Sequence, residues 1–108
     1  MTGTAQVRVP YDELVGFLSS VLLKVEFSDD RAKTCAQLFA DATRDGVYSH
    51  GVHRFPRFVR SVRNGLVIPQ ASPELVSRFG SMERWNGRSG PGNLNARQCM
   101  QRAVELCR

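Results

Sequence analysis

Cysteine is scarce in this chain and unpaired. Cys35, Cys99 and Cys107 make an odd set with no Cys-x-x-Cys pair, which argues against a disulfide framework or zinc site and leaves buried reduced thiols as the expectation. No apolar run approaches the length that crosses a bilayer, and the opening MTGTAQVRVPYDEL lacks the apolar centre of a secretory signal. The expected setting is cytoplasmic, with no membrane partner. Acidic residues are outnumbered 10 to 15, and the formal charge of +5 attracts anions without naming one. There is no internal repeat and no low-complexity tract. Gly87, Gly90 and Gly92 spell neither the dinucleotide fingerprint nor a P-loop, and they come after a polar segment rather than a buried strand, so a plain loop is expected there. What remains is a 108-residue chain, 42% hydrophobic, enough for one domain with a real core.

Apolar spacing predicts the elements. After Pro10, which suits a first helical turn, Leu14, Phe17, Leu18, Val21, Leu22 and Val25 fall on one helical face. Ser28 caps a second helix, with Asp29 and Asp30 suited to its N-terminus and Ala32, Cys35, Ala36 and Phe39 on one face running toward Gly46. A third helix is expected from about Val52, carrying Phe55, Val59, Val62 and Leu66 and stopping at Asn64-Gly65. The segments ELVSRF and MERWN flank Gly80-Ser81 as the arms of a tight hairpin. Ala96, Cys99, Met100, Ala103 and Leu106 then form a last helical face that is still running at the final residues. Because a lone hairpin is marginal, its strands are expected to join a larger sheet. The expected fold class is therefore α+β: N-terminal helices, a short β-hairpin and a C-terminal helix, truncated from something larger.

Chemistry concentrates between Asp45 and Gly65. His50 falls in the turn between the second and third helices, where a side chain can face a cleft. The start of the third helix offers unpaired backbone N–H groups to an anion, and Arg54 lies one turn on from His50. An imidazole exchanges a proton with an oxygen near neutral pH, and a guanidinium holds a carboxylate in a two-pronged grip, a pairing suited to a 2-oxo or 2-hydroxy acid. Other readings stand beside this one. A histidine at a helix start more commonly serves structure, and His50-x-x-His53 without a third ligand is weak evidence for metal, with His53 expected exposed. Arg57, Arg60 and Arg63 suit a solvated face better than a phosphate stripe, and Phe55, Phe58 and Trp85 are expected in the core.

The run Gly46-Val47-Tyr48-Ser49-His50-Gly51, with Arg54, Pro56 and Phe58 beyond it, closely resembles the N-terminal signature of the malate/L-lactate dehydrogenase family. NGLVIPQASPELV resembles the exit from the signature helix, and ERWNGRSGPGNLNARQCMQRAVEL the next strand, loop and helix, so the likeness runs from Pro10 through nearly the whole chain. The resemblance implies two-domain subunits in homodimers that reduce a small-molecule 2-oxo acid reversibly with NADH or NADPH, in a fold distinct from the usual dinucleotide-binding one. By position it implies His50 as proton donor to the substrate oxygen, Arg54 as the arginine engaging the acid group, and Ser49 as a residue orienting either. Some family members use a different histidine, which would lie past Arg108, as would the cofactor-contacting segments. Residues 1–66 are then a helical segment carrying the Ser-His-Gly signature, and residues 67–108 an incomplete start of the α/β catalytic domain without its NAD or NADP site. That leaves no turnover expected from these 108 residues alone, no metal and no nucleic acid. The alternatives are a small basic helical module binding nucleic acid or other anions, and an inactive truncated product.

Overall fold

The structure, a computed structural model, describes residues 8–108. Pro10 stands just outside the first helix, and its carbonyl accepts from the Leu14 N–H at 3.0 Å. Helix α1 (Tyr11–Lys24) buries Val15, Leu18 and Leu22. Phe17, expected on that face, is 63% exposed, because at 100° per residue it falls on the far side of the helix from the Val15–Leu22 stripe. Helix α2 (Asp29–Arg44) starts at the predicted cap, where Ser28 Oγ accepts from the Arg31 N–H, and buries Ala32, Cys35, Ala36, Phe39 and Ala40. Tyr11 Oη donates to Asp41 Oδ1 at 2.6 Å and ties the start of α1 to the end of α2; that hydrogen bond to a carboxylate raises the phenol's pKa.

Helix α3 (Phe55–Arg63) buries Phe55, Val59 and Val62 against the same core. It begins three residues later than the spacing from Val52 predicts, because residues 48–54 form separate turns. All three helices end in one hydrogen-bond pattern. The N–H two residues past the last turn returns to the carbonyl five back, and its predecessor to the carbonyl three back: Phe27 to Leu22 and Glu26 to Leu23, Val47 to Ala42 and Gly46 to Thr43, Leu66 to Ser61 and Gly65 to Val62. The reversal needs a positive φ at its pivot, found at Glu26 (74°), Gly46 (84°) and Gly65 (78°). Gly65 turns the chain outward, so Leu66, expected on the buried face of α3, is 69% exposed.

The hairpin of β1 (Glu74–Phe79) and β2 (Met82–Asn86) is antiparallel and turns at Gly80-Ser81, with a bulge between Leu75 and Ser77. Every residue of β1 is exposed, and Trp85, expected in the core, is half-buried. Helix α4 (Gly92–Leu106) buries only Leu94. Its predicted stripe is not a core face: Ala96, Met100 and Ala103 are exposed, and Cys99 and Leu106 half-buried. The thiols are likewise not uniformly buried. Cys35 is buried, Cys99 is half-buried and Cys107 exposed.

Polar links attach this second part to α2 and tie its hairpin to α4. Arg31 on α2 donates to the carbonyls of Pro69 (2.8 Å) and Ala71 (2.7 Å) and to Ser72 Oγ (3.3 Å). Asn93 on α4 meets the buried Cys35 thiol at 3.4 Å; burial pushes that thiol's pKa up to about 11, keeping it protonated at neutral pH. Glu83 on β2 accepts from Arg102 on α4 (2.9 and 2.8 Å), from Arg78 on β1 and from Trp85 Nε1. These bonds, the one from Arg102 foremost, hold its carboxyl at about 2.

Candidate active site

Local chemistry at the end of α2 builds the corner that carries His50. Gly46 reverses the chain, and Tyr48–His50 then form one turn of 3-10 helix, with the His50 N–H donating to Val47 O at 3.0 Å. Thr43 pins the corner from below: its Oγ1 donates to Phe39 O (3.0 Å) and accepts from the Val52 N–H (2.9 Å). Gly51 presses on the same threonine, since a Cβ there would collide with Thr43 Oγ1 and come within 2.9 Å of the Thr43 backbone nitrogen. The glycine after the histidine is thus required by close approach to α2.

Ser49 connects the two chemically interesting side chains. Its Oγ lies 3.0 Å from His50 Nδ1, and its carbonyl accepts from Arg54 Nε at 3.2 Å. Arg54 stands at the N-cap of α3, and its two terminal NH2 groups make no hydrogen bond to the described residues. His50 and Arg54 line one cleft of about 900 Å³. Its floor is Leu38, Phe39 and Ala42 of α2 together with Phe58 of α3, and its further wall is α4, through Asn93, Ala96, Arg97 and Met100. Phe39 packs edge-on against Phe55 and tilted against Phe58, with ring centroids 5.2 Å apart in both pairs, so the floor of the cleft is also part of the core.

One sequence expectation changes here. The Phe55 N–H is taken by Val52 O at 3.2 Å and Pro56 has none, so the start of α3 offers an anion little beyond the Arg57 N–H. His50 and His53 do not converge. His53 is exposed, stands 6.1 Å from the Tyr48 ring and faces a different hollow, formed with Tyr11 and Arg44. Arg57, Arg60 and Arg63 all point to solvent, as their spacing indicates.

Residues 9–108 match the sequence model of the malate/L-lactate dehydrogenase family. The chain belongs to that family. It is 44% identical over 100 residues to the 2,3-diketo-L-gulonate reductase of Salmonella paratyphi B, a match that covers 93% of this chain and 30% of that protein. Its fold superposes on the malate dehydrogenase of Pyrococcus horikoshii with a TM-score of 0.87 at 29% identity, covering 97% of this chain and 31% of that one. The malate dehydrogenase of Entamoeba histolytica gives 0.84 at 26% identity, over 93% of this chain and 28% of its own. The chain spans about 30% of the length of the curated relatives it matches.

The nicotinamide nucleotide associated with such reductases finds no fitting cradle among the described residues. Strand β2 leads into Gly87–Gly92 half-exposed rather than buried, and Gly90 is packed so closely on Ala71 that a Cβ would come within 2.5 Å of its carbonyl oxygen. Gly90 serves a contact between loops. The α4 wall of the cleft, with Asn93 and Arg97, escapes sequence reading because it lies some forty residues from His50. Its one signal is an arginine beside the small residue Ala96 in a stripe otherwise read as core.

Proposed function

We propose that this chain carries the acid-binding and proton-donating corner of an NADH- or NADPH-dependent reductase of 2-oxo acids of the diketogulonate, malate or lactate type. The observation that supports it is the shared cleft: an imidazole and a guanidinium with free N–H groups, joined through one serine, above an aromatic floor. Arg54 receives the substrate carboxylate in two parallel hydrogen bonds, which orients the neighbouring 2-oxo group. Protonated His50 gives its Nε2 proton to the 2-oxo oxygen as that oxygen becomes a hydroxyl. Ser49 Oγ accepts from Nδ1–H throughout, so Nδ1 keeps its proton and Nε2 is the nitrogen that exchanges. Thr43 and Gly51 hold the corner on α2. In this reading residues 1–66 form the helical segment bearing the signature and residues 67–108 the start of the catalytic domain. Cofactor, hydride supply and the homodimer contacts of a cytoplasmic enzyme belong to residues outside this chain, and the 108 residues alone give no turnover.

A chimera tests the assignment: the first third of the Salmonella 2,3-diketo-L-gulonate reductase is replaced by residues 9–108. His50→Ala in that chimera is expected to lower kcat by about 10²–10⁴, and Arg54→Ala to lower kcat/KM by a similar factor. Wild-type turnover in the His50→Ala chimera removes His50 from proton transfer. Oxidation of NADH by the purified 108-residue chain contradicts the assignment of hydride supply to residues elsewhere.

A further inference from the structure

We infer that Arg97 is a second anion-binding residue of the cleft and selects acids carrying a carboxylate at both ends, the four-carbon 2-oxo and 2-hydroxy dicarboxylates. The inference rests on the proposed function above, with Arg54 taking the first carboxylate. Arg97 lines the His50–Arg54 cleft from α4, across the apolar surface of Phe58, Ala96 and Met100. Elsewhere in the second part of the fold Arg78 and Arg102 bind Glu83 and Arg88 stands 3.8 Å from Glu74, while Arg84 and Arg108, which like Arg97 have no side-chain partner among the described residues, do not line this cleft. Arg97 has neither an ion pair nor a side-chain hydrogen bond to any described residue. Asp30 lines a neighbouring hollow of about 210 Å³ together with Arg97 but forms no ion pair with it within 4.0 Å. An uncompensated guanidinium at the edge of a cleft floored by aromatic rings pulls an anion into it more strongly than the same group in open water.

The consequence is specificity. A dicarboxylate satisfies Arg54 and Arg97 together, whereas a monocarboxylate with a methyl at its far end leaves Arg97 to water. The difference is expected at about tenfold in affinity, the scale of one charge-assisted hydrogen bond.

The test titrates the 15N-labelled chain with L-malate and with L-lactate, monitoring the amide signals of residues 49–54 and 93–101. Malate is expected to bind about tenfold more tightly than lactate. Arg97→Ala is expected to close that gap by weakening malate alone, Arg97→Lys to recover part of it, and Arg57→Ala, on the solvated face of α3, to change neither. Equal binding of the two acids, equal weakening of both by Arg97→Ala, or the same loss of malate in Arg57→Ala overturns the inference about Arg97 while the role of Arg54 stands. If neither acid moves the signals of residues 49–54, or Arg54→Ala leaves lactate binding intact, the proposed function itself fails and Arg97 loses its role with it.

Discussion

The helical part of the molecule, residues 11–66, and the part after it are held by different forces. Among the described residues, thirteen of the fourteen buried hydrophobic core residues lie between Val15 and Val62, and the later part adds Leu94 and the buried prolines Pro69, Pro73 and Pro91. That part turns its apolar residues outward, with Leu75, Val76 and Phe79 on β1 and Met100 and Val104 on α4 all exposed. Arg31 and the Cys35–Asn93 contact join it to α2, and the Arg102–Glu83 pair ties its own hairpin to α4. Apolar burial is non-directional and tolerates small shifts, whereas a guanidinium reaching three acceptors holds one geometry. The first part therefore forms a platform, and the second is positioned on it. The candidate site lies where the two meet, with an aromatic floor from the platform and a wall from α4.

The sharpest way to break the comparison is one residue type in both regions. Phe39→Ala empties the centre of the aromatic cluster and is expected to cost about 3–5 kcal/mol by chemical denaturation. Phe79→Ala, at a position 85% exposed, is expected to cost less than about 0.5 kcal/mol. Equal losses would mean that the hairpin is buried in solution.

Arg31→Ala tests the polar attachment. Removing a charged donor from two carbonyls and a hydroxyl is expected to cost about 2 kcal/mol. Amide exchange should accelerate at Ile68 and Ala71 while the amides of α1 keep their protection. Uniform acceleration along the chain would show one cooperative unit instead of two differently held parts.

Acid sharpens the same contrast through Glu83. Its side chain is 2% exposed and its carboxyl is held at about 2, against an ordinary value of 4.5. The stabilisation it contributes is complete above about pH 4.5 and is lost as pH falls toward 2. In that window the hairpin is expected to loosen from α4, read from the Trp85 fluorescence, and Glu83→Gln should flatten the change. A transition centred near neutral pH would exclude Glu83 as its source.

The smallest effect sits at the end of α1. Glu26 holds φ at 74°, a left-handed conformation that costs a side chain about 1 kcal/mol and glycine almost nothing. The Glu26 carbonyl that accepts from Gln70 Nε2 is a backbone group and survives the substitution. Glu26→Gly is therefore expected to stabilise the fold by up to about 1 kcal/mol in chemical denaturation. A clear loss of stability would show that the Glu26 side chain contributes more than its backbone strain costs.

Much of the fold is legible in the sequence where the signal is local. Ser28 as a cap, Asn64-Gly65 as a stop, the Gly80-Ser81 turn and the arms of the hairpin all derive from residues within a few positions of the feature itself. Faces are less legible. Phe17, Leu66 and the stripe on α4 fit a helical period yet meet water, because periodicity says which residues share a side of a helix and not what lies against it. At the site, His50, Arg54 and Ser49 stand within six residues and are readable as a group, while Arg97 and Thr43 enter only through the packing of α4 and α2 around them.

The order of side chains along the chain determined the helix ends, the hairpin turn, the charge of the corner and the family to which it belongs, since each is written in neighbouring residues and in their backbone preferences. Tertiary packing alone decided that His50 and His53 face different hollows, that the start of α3 has few N–H groups to offer, and that a guanidinium from α4 shares a cleft with His50. Those outcomes depend on the relative placement of elements far apart in sequence, which is set by how the core around Leu18, Leu22 and Phe39 closes and by where Arg31 and Glu83 anchor the hairpin and α4.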